Sequence, residues 1–289
     1  MRKHGKHTCK ALQHERRLAM GLRIPRRAEL LKFADRAQRP CWIFHGMKRS
    51  GNHAVINWIQ SGGRFFHINN PFWIELELSN PGYFRFPIPT GHVIVRKRWR
   101  KMRRMGFRPA TYLLSVEDFP ISTPLFDAQN GMTNILLVRD PENLFASRIK
   151  KAFLKHRVAY PRDMDATMQR AICIWLEHAD ELLATTEHLQ NRIGIFFDRW
   201  VSDPEYRNLI AARIGISPVQ TLNSLRAKQG EGSSFNGRGT VDASEAGDLR
   251  HRRHFLNERE TALLDEVMAA PRIKERRLRL LAQFGMSAP

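Results

Sequence analysis

The segment from Trp42 to Ile56, WIFHGMKRSGNHAVI, constrains the fold more than any other stretch of the chain. It starts with apolar residues typical of a buried strand, passes through a turn bounded by Gly46 and Gly51, and ends in a helical pattern. Backbone N–H groups at a helix start have no intrahelical partner, and the helix dipole adds positive potential there. The strand–turn–helix order therefore predicts an anion site for a phosphate or sulfate group.

The side chains of this turn favour the same interpretation. Lys48 and Arg49 supply full positive charges, whereas Ser50 and Asn52 supply neutral hydrogen-bonding groups. The spacing differs from the Walker A motif, in which two glycines five positions apart are followed by Lys and Ser or Thr. We therefore expect a shorter relative of the P-loop and not an ATPase site.

Downstream of this segment, short apolar runs alternate with helical patterns. Strands are expected at 41–45, 92–95, 112–116, 134–138 and 193–197, and helices at 52–60, after Asp140, at 163–189 and 203–214, and as two basic helices near the end. Residues 229–247 are expected to form a loop. This alternation predicts an α/β fold, with a parallel β-sheet flanked by helices. We expect a single domain over residues 39–289, preceded by a basic arm at 1–38 that is partly helical.

Charge and cysteine content narrow the function classes. The 289-residue chain has 48 Lys and Arg against 28 Asp and Glu, a formal net charge of +20, which attracts anions without identifying them. Cys9, Cys41 and Cys173 show neither a disulfide framework nor metal-ligand spacing, so we expect a reduced, cytoplasmic setting. Because no run of about eighteen apolar residues occurs, no membrane-spanning helix is expected.

A second candidate site follows the apolar run at 134–138. Arg139 is expected at the carboxyl end of that strand, where ligands bind in open α/β sheets. Ser147 comes eight residues later, two turns into a helix, on a face that the core does not require. If the two side chains converge, they would hold a second phosphate group. The alternative is that Arg139 pairs with Asp140 and that Ser147 is a surface residue.

Taken together, Arg49-Ser50-Gly51-Asn52-His53 and the pair Arg139 and Ser147 resemble two motifs of the sulfotransferases that use 3′-phosphoadenosine-5′-phosphosulfate (PAPS). That family has a basic residue followed by Ser-Gly-Thr-Thr at the 5′-phosphosulfate. At the 3′-phosphate it has a strand-end arginine with a serine eight residues later. Residues 195–204 and 233–239 are similar to its segments near the adenine and over the 3′-phosphate. The resemblance spans residues 41 to about 260.

The resemblance implies a P-loop-kinase-like architecture, PAPS as the co-substrate and no metal. The donor-binding residues that it implies are Lys48, Arg49, Ser50, Gly51, Asn52, His53, Arg139, Ser147, Phe197, Arg238 and Gly239. The chain departs from the family at four of its positions. Asn52 and His53 replace threonines, Phe197 replaces a tyrosine, and Gly237 replaces a basic residue, which leaves Arg238 for the phosphate.

The resemblance also implies a reaction in which a sulfuryl group moves in line to a hydroxyl, or an amine, of a glycan or other small acceptor. Arg49 would stabilise charge on the leaving phosphate, with Lys48 as a helper. A general base must take the acceptor proton. Glu117 is the first candidate, Asp118 the second and His92 the third, and the alternative for the acidic pair is a solvated strand end.

The cationic run at 96–108 could gather a polyanionic acceptor, contact an acidic membrane surface, or form a solvated helix face. The arm at 1–38 is either a solvated tail or an electrostatic tether. No nucleic-acid-binding motif is present, so nucleic acid is not an expected partner. Two competing functions remain open: a P-loop kinase acting on a small molecule with Mg²⁺, and a non-enzymatic basic protein that binds nucleic acid or acidic membranes.

Overall fold

A computed structural model describes residues 40–69, 110–122, 132–155, 164–218 and 252–287. Within these ranges the strands are β1 (Cys41–Gly46), β2 (Phe65–Asn69), β3 (Thr111–Glu117), β4 (Thr133–Val138) and β5 (Arg192–Phe196). The helices are α1 (Asn52–Ser61), α2 (Pro141–Lys155), α3 (Met164–Leu182), α4 (Phe197–Ser202), α5 (Pro204–Ile214), α6 (Glu258–Met268) and α7 (Pro271–Gln283). The expected arm at 1–38, strand at 92–95, cationic run at 96–108 and loop at 229–247 lie outside the described residues.

The described strands form one sheet in the order β2-β3-β1-β4-β5, and every neighbouring pair is parallel. The predicted fold class, a parallel sheet flanked by helices, is thereby confirmed. All carboxyl ends share one edge of the sheet. In register terms Gly46 lies beside Glu117, and Val138 lies beside Phe196. The loops that follow β1, β3, β4 and β5 therefore start side by side.

Apolar side chains cover both faces of the sheet, as its continuous apolar strands predict. On one face Leu136 and Val138 pack with residues of α2, α3, α6 and α7, among them the fully buried Trp175. On the other face Leu113 packs with residues of α1, α4 and α5, including Trp58. Within the described ranges the helices are therefore fixed to both sides of the strands, and the strand ends are left for a ligand.

Helix α2 begins as its sequence predicts. Pro141 is its first residue, and the Asp140 Oδ1 atom accepts hydrogen bonds from the backbone N–H groups of Glu142 (3.0 Å) and Asn143 (3.4 Å). The same capping occurs at α5, where Asp203 accepts from the N–H of Tyr206 at 3.0 Å. Both caps fix the chain directly after a strand or helix that borders the carboxyl edge.

Some expectations were wrong. Strand β2 was not predicted, because its five residues, FFHIN, contain a buried histidine in place of an apolar side chain. The expected strand at 193–197 ends one residue earlier, and Phe197 starts α4. Of the two closing helices only α7 is basic, since α6 carries four acidic residues and one arginine. Among the helices that the structure describes, none has the length and apolar character needed to cross a bilayer.

Candidate active site

The loop between β1 and α1 turns sharply at two residues with positive φ. Arg49 has φ 75°, and Gly51, which caps α1, has φ 95°. A side chain at Gly51 would overlap the ring of Phe197, so glycine is required here for both space and backbone conformation. The turn brings the loop back over the start of α1, where the amides of Asn52 and His53 begin the helix.

Ser50 and Asn52 hold this loop from inside. The Ser50 Oγ atom lies 2.6 Å from the carbonyl oxygen of Met47 and 2.8 Å from Asn52 Oδ1. Asn52 Nδ2 donates to the Met47 carbonyl at 3.0 Å and to Glu117 Oε1 at 2.7 Å. Both side chains are buried, at 1% and 3% exposure. They shape the loop, and direct contact of these two side chains with a donor stays a prediction.

The two motifs identified in the sequence meet at the carboxyl edge. Arg49 Nε donates to Ser147 Oγ at 3.0 Å, and Arg139 Nη1 donates to the carbonyl oxygen of Arg49 at 3.0 Å. Ser147 is only 1% exposed, so the alternative of a surface serine is wrong. Arg49, Arg139 and Ser147, nearly a hundred residues apart at most, therefore belong to one site.

Arg139 is held through both its backbone and its side chain. Trp175 Nε1 donates to the Arg139 carbonyl oxygen at 3.0 Å, and the Arg139 guanidinium lies 5.0 Å from the centre of the Phe197 ring. Burial lowers the pKa of Arg139. The carboxylates of Asp198 and Asp140 oppose this shift, while the positive charge of Arg49 adds to it. The Arg139 side chain is thus held in a fixed position, and its burial disfavours the charged form of the guanidinium.

The ring of Phe197 packs against both Arg139 and the β1–α1 loop. Its ring is 3% exposed and stacks on Trp200, with the ring centres 5.9 Å apart. One part of the ring meets Arg139 and another faces Gly51. Phe197 therefore supports both halves of the site, whereas its predicted contact with the adenine of a donor is not tested.

The two candidate bases at the end of β3 occupy different surroundings. Glu117 is 9% exposed and accepts one hydrogen bond from Asn52. Asp118 is bound by Arg148 through both oxygens, at 2.8 and 3.1 Å, and accepts from the backbone N–H of Lys48 at 3.1 Å. The third candidate, His92, lies outside the described residues.

Asp118 is the weaker candidate on electrostatic grounds. Burial would raise its pKa, but the charge and hydrogen bonds of Arg148, together with Lys48, hold the pKa below its ordinary value. A carboxylate with a depressed pKa, fixed in a two-pronged ion pair, accepts a proton poorly. Glu117 therefore keeps its place as the first candidate.

Sequence analysis missed Asp198 and Arg252. Asp198 follows β5 at the same edge and accepts from the backbone N–H of Asp140 at 2.7 Å and from Asn143 Nδ2 at 3.3 Å. Its position after a strand is the signal that could have found it. Arg252 starts a short 3₁₀ turn (Arg252–Phe255) and is 5% exposed. No pattern separates it from the other arginines of the chain.

The remaining predictions concern a metal site and three donor-binding residues, Arg238, Gly239 and His53. In the ranges that the structure covers, no group of three His, Cys, Asp or Glu side chains is arranged to hold a metal ion. The predicted phosphate contacts Arg238 and Gly239 lie outside these ranges. His53, in the first turn of α1, is partly buried.

Comparison with known proteins gave structural matches only. No family model and no curated protein sequence matches the chain. The sulfotransferase domain of the curacin biosynthetic pathway is similar over 87% of this chain and 99% of its own, with 13% identity and a TM-score of 0.42. Retinol dehydratase, solved with androsterone and the inactive cofactor PAP, is similar over 87% of this chain and 83% of its own, with 15% identity and a TM-score of 0.44.

Mouse sulfotransferase SULT7A1, solved with PAP, matches 83% of this chain and 88% of its own, with 12% identity and a TM-score of 0.47. PAP is the abbreviation that we use below for 3′-phosphoadenosine-5′-phosphate.

Proposed function

We propose that this protein is a sulfotransferase. It transfers the sulfuryl group of PAPS to a hydroxyl, or an amine, of a glycan or other small acceptor. The observation that carries the proposal is the contact between the two motifs, Arg49 Nε to Ser147 Oγ at 3.0 Å and Arg139 Nη1 to the Arg49 carbonyl oxygen at 3.0 Å. The β1–α1 loop, which suits one anion, and Arg139 at the end of β4, which suits another, together form a single cationic site.

The charge of the site suits a donor with several phosphate oxygens. Arg49 and Arg139 lie together at the ends of β1 and β4. Burial lowers the pKa of Arg139, and the positive charge of Arg49 adds to this shift, while Asp198 and Asp140 oppose it. Buried cations of this kind gain most from a bound anion, since the anion restores the favourable interactions that burial removes. Guanidinium groups bind phosphate oxygens in pairs of hydrogen bonds, which suits both the 5′-phosphosulfate and the 3′-phosphate.

The reaction needs few groups from the protein. The bond between the sulfur and the 5′-phosphate oxygen breaks, a bond from sulfur to the acceptor oxygen or nitrogen forms, and PAP leaves with the electron pair. Arg49 stabilises the negative charge on the departing phosphate, and Lys48 assists at the mouth of the loop. Glu117, beside the loop through its hydrogen bond with Asn52, takes the proton that the acceptor loses.

The proposal extends to the class of acceptor and to the cellular location of the protein. A small hydroxyl or amine compound or a glycan, and in particular a polyanionic one, suits the +20 charge of the chain. The same charge suits peripheral contact of a cytoplasmic protein with an acidic membrane surface. Each extension is tested by assaying candidate acceptors and vesicles separately from PAP binding.

Ligand binding tests the core of the proposal. Thermal unfolding is followed with PAP and, separately, with ATP and Mg²⁺. A ligand at about 100 times its dissociation constant stabilises the fold by roughly 2.7 kcal/mol, and we expect this from PAP alone. A shift with ATP and Mg²⁺ but none with PAP would support a kinase instead. Steeply salt-dependent binding of any polyanion, without nucleotide preference, would support a non-enzymatic basic protein.

Arg139→Ala separates binding from folding. We expect the affinity for PAP to fall about 100-fold, because a hydrogen-bonded charge is lost at the phosphate, and this loss should exceed the loss of stability. Arg276→Ala is the matched control. It removes the same charge from a side chain of α7 that is 16% exposed and pairs with Asp180, next to Glu181 at the far end of α3. Unchanged PAP affinity in Arg139→Ala would remove Arg139 from the site.

A further inference from the structure

The side-chain amide of Asn52 links the β1–α1 loop to the end of β3. Its Nδ2 atom donates to the carbonyl oxygen of Met47 at 3.0 Å and to Glu117 Oε1 at 2.7 Å. An amide nitrogen carries two hydrogens, so both are directed to oxygens of the protein. The contact with Glu117 joins two buried side chains, at 3% and 9% exposure, from distant parts of the sequence.

Ser50 fixes the orientation of this amide. Its Oγ atom lies 2.8 Å from Asn52 Oδ1 and accepts from the backbone N–H of Met47 at 3.2 Å. A flipped amide would place its oxygen against the carbonyl oxygen of Met47 and the carboxylate of Glu117, where no hydrogen can be shared. The amide nitrogen of Asn52 is therefore the atom that faces Glu117.

Gly46 leaves the space that the amide occupies. It lies beside Glu117 in the register of β1 and β3, and a Cβ atom at Gly46 would overlap the Asn52 side chain. Asn52 can therefore reach from the start of α1 to the end of β3. The neighbouring carboxylate, that of Asp118, is tied to the same loop by a separate contact, from the backbone N–H of Lys48 at 3.1 Å.

We propose that Asn52 is a positioning residue for Glu117, the general base. This inference rests on the proposed function. A carboxylate has two oxygens, so Oε1 is held by Asn52 while the other oxygen takes the proton of the acceptor. The amide fixes the base relative to the loop that holds the phosphosulfate, and a misplacement of about 1 Å at reacting groups costs about 100-fold in rate. Asn52 therefore acts on turnover through Glu117, and its side chain contributes little to donor affinity.

Asn52→Thr is the first test, because threonine is the residue that Asn52 replaces in the motif. A hydroxyl group has one hydrogen and cannot donate to both Met47 and Glu117. We expect turnover to fall about 10- to 100-fold, while the affinity for PAP, measured by calorimetry, stays within about 3-fold of the parent. Asn57→Thr, the matched control, makes the same change at a partly buried position of α1 and should alter neither quantity by more than about 2-fold.

A double-mutant cycle with Glu117→Gln distinguishes positioning from a general disturbance of the loop. If Asn52 acts through Glu117, Asn52→Thr lowers turnover by less than about 3-fold in the Glu117→Gln background, because the group that it positions no longer takes a proton. A general disturbance of the loop would lower turnover equally in the parent and in Glu117→Gln.

Asn52→Asp keeps the shape of the side chain and provides a readout that does not depend on the folding of Asn52→Thr. An oxygen then faces Glu117 Oε1, and two carboxyl groups so close together share one proton. At saturating PAPS we expect the rise of turnover with pH to occur about 1 pH unit or more above that of the parent. The neighbouring charges of Lys48, Asp118 and Arg148 are common to both proteins.

Several outcomes would overturn the assignment of Asn52. These are parental turnover in Asn52→Thr, an equal loss of turnover in both backgrounds of the cycle, or a pH profile of Asn52→Asp that follows the parent. A loss of PAP affinity as large as the loss of turnover would make the Asn52 side chain a donor ligand instead. Failure of the proposed function looks different, since the parent protein itself would then not prefer PAP to ATP with Mg²⁺.

Discussion

At the amino edge of the sheet the buried carboxylate of Glu181 is surrounded by donors. At the carboxyl edge the buried guanidinium of Arg139 lies near another guanidinium, that of Arg49, as well as near the carboxylates of Asp198 and Asp140. Glu181 accepts from Thr186 Oγ1 at 2.7 Å, from the N–H groups of His188 and Leu189 at 2.9 and 3.1 Å, and from Arg192 at 2.8 Å. Arg139 has Arg49 beside it, and Arg252 adds a third charge.

We propose that this difference separates a structural charge cluster at Glu181 from a binding site at Arg139. A buried charge whose hydrogen bonds all come from the protein closes a loop and fixes a helix to a strand, as Glu181 does for α3 and β5. A buried charge among like charges lowers the stability of the fold unless a ligand supplies the opposite charge. We therefore expect substitutions at the amino edge to change stability, and those at the carboxyl edge to change binding and turnover.

The largest expected effect is on turnover. Glu117→Gln keeps the shape of the side chain at the carboxyl edge but removes its ability to take a proton. We expect turnover to fall about 10²–10⁴-fold, with PAP affinity and the free energy of unfolding close to those of the parent. The measurement is the release of PAP from PAPS in the presence of an acceptor that the parent sulfates. Turnover at the parental rate would place the base elsewhere.

Glu181→Gln is the equivalent change at the amino edge. The amide nitrogen cannot accept from the donors that surround Glu181, and Arg192 loses its ion pair with the carboxylate but keeps its hydrogen bond to the Glu181 carbonyl oxygen. We expect the free energy of unfolding to fall by about 3–5 kcal/mol in urea denaturation, with PAP affinity of the folded protein unchanged. Glu187→Gln, on the same loop but exposed, should stay within about 0.5 kcal/mol of the parent. A loss of PAP affinity without a loss of stability would contradict the division between the edges.

Acid should act mainly through two buried histidines, His45 on β1 and His178 on α3. Burial lowers the pKa of His45 to about 4; its hydrogen bond with Asn134 opposes the shift, and the charge of His178 adds to it. In the unfolded chain a histidine has a pKa of about 6.5, so between pH 6.5 and 4 the unfolded state binds more protons and stability falls as pH falls. Burial lowers the pKa of His178 as well, and this acts in the same direction.

The contribution of His45 to the loss of stability in acid is measured by comparing the parent with His45→Gln. We expect the parent to lose about 2.5 kcal/mol more stability than His45→Gln between pH 7 and pH 4.5. Asp140, whose pKa is raised to about 6, acts in the opposite direction over this range but is common to both proteins. Equal losses in the two proteins would mean that His45 is protonated in the folded state, or accessible to water.

The sequence was sufficient for the parts of the site that follow from local rules. The β1–loop–α1 unit is predicted by apolar residues, glycines and a helix start that lie within fifteen positions of each other. Arg139 was found because residues that follow a parallel strand lie at its carboxyl end. The start of α2 directly after Asp140 is likewise a local prediction, and it is confirmed.

The parts that were missed depend on contacts between distant elements. Arg252 is distinguished from Arg253 only by which residues surround it in the fold. Asp118 and Glu117 are adjacent in sequence, and the contacts of Arg148 and Lys48 with Asp118 distinguish the two carboxylates. Strand β2 is recognised by its pairing with β3 and not by its own residues.

The smallest expected effect concerns the exposed end of the cationic site. The Lys48 side chain is 46% exposed, and its Nζ lies 3.8 Å from Asp118 Oδ2, whereas Arg148 contacts the same carboxylate while 14% exposed. We expect Lys48→Ala to leave stability within about 0.5 kcal/mol and to weaken PAP binding about 3- to 10-fold at low salt. The effect should shrink at high salt, because an exposed charge is screened within about 10 Å at 0.1 M.

This variant tests whether burial decides the role of each cation at the carboxyl edge. If Lys48 acts as a surface charge, its effect on PAP binding disappears at about 1 M salt, while that of Arg139→Ala persists, because buried charges are screened much less. If the two variants instead show the same salt dependence and the same loss of affinity, exposure does not separate their roles. Lys48 would then be a direct ligand of the donor, equal in rank to the buried arginines.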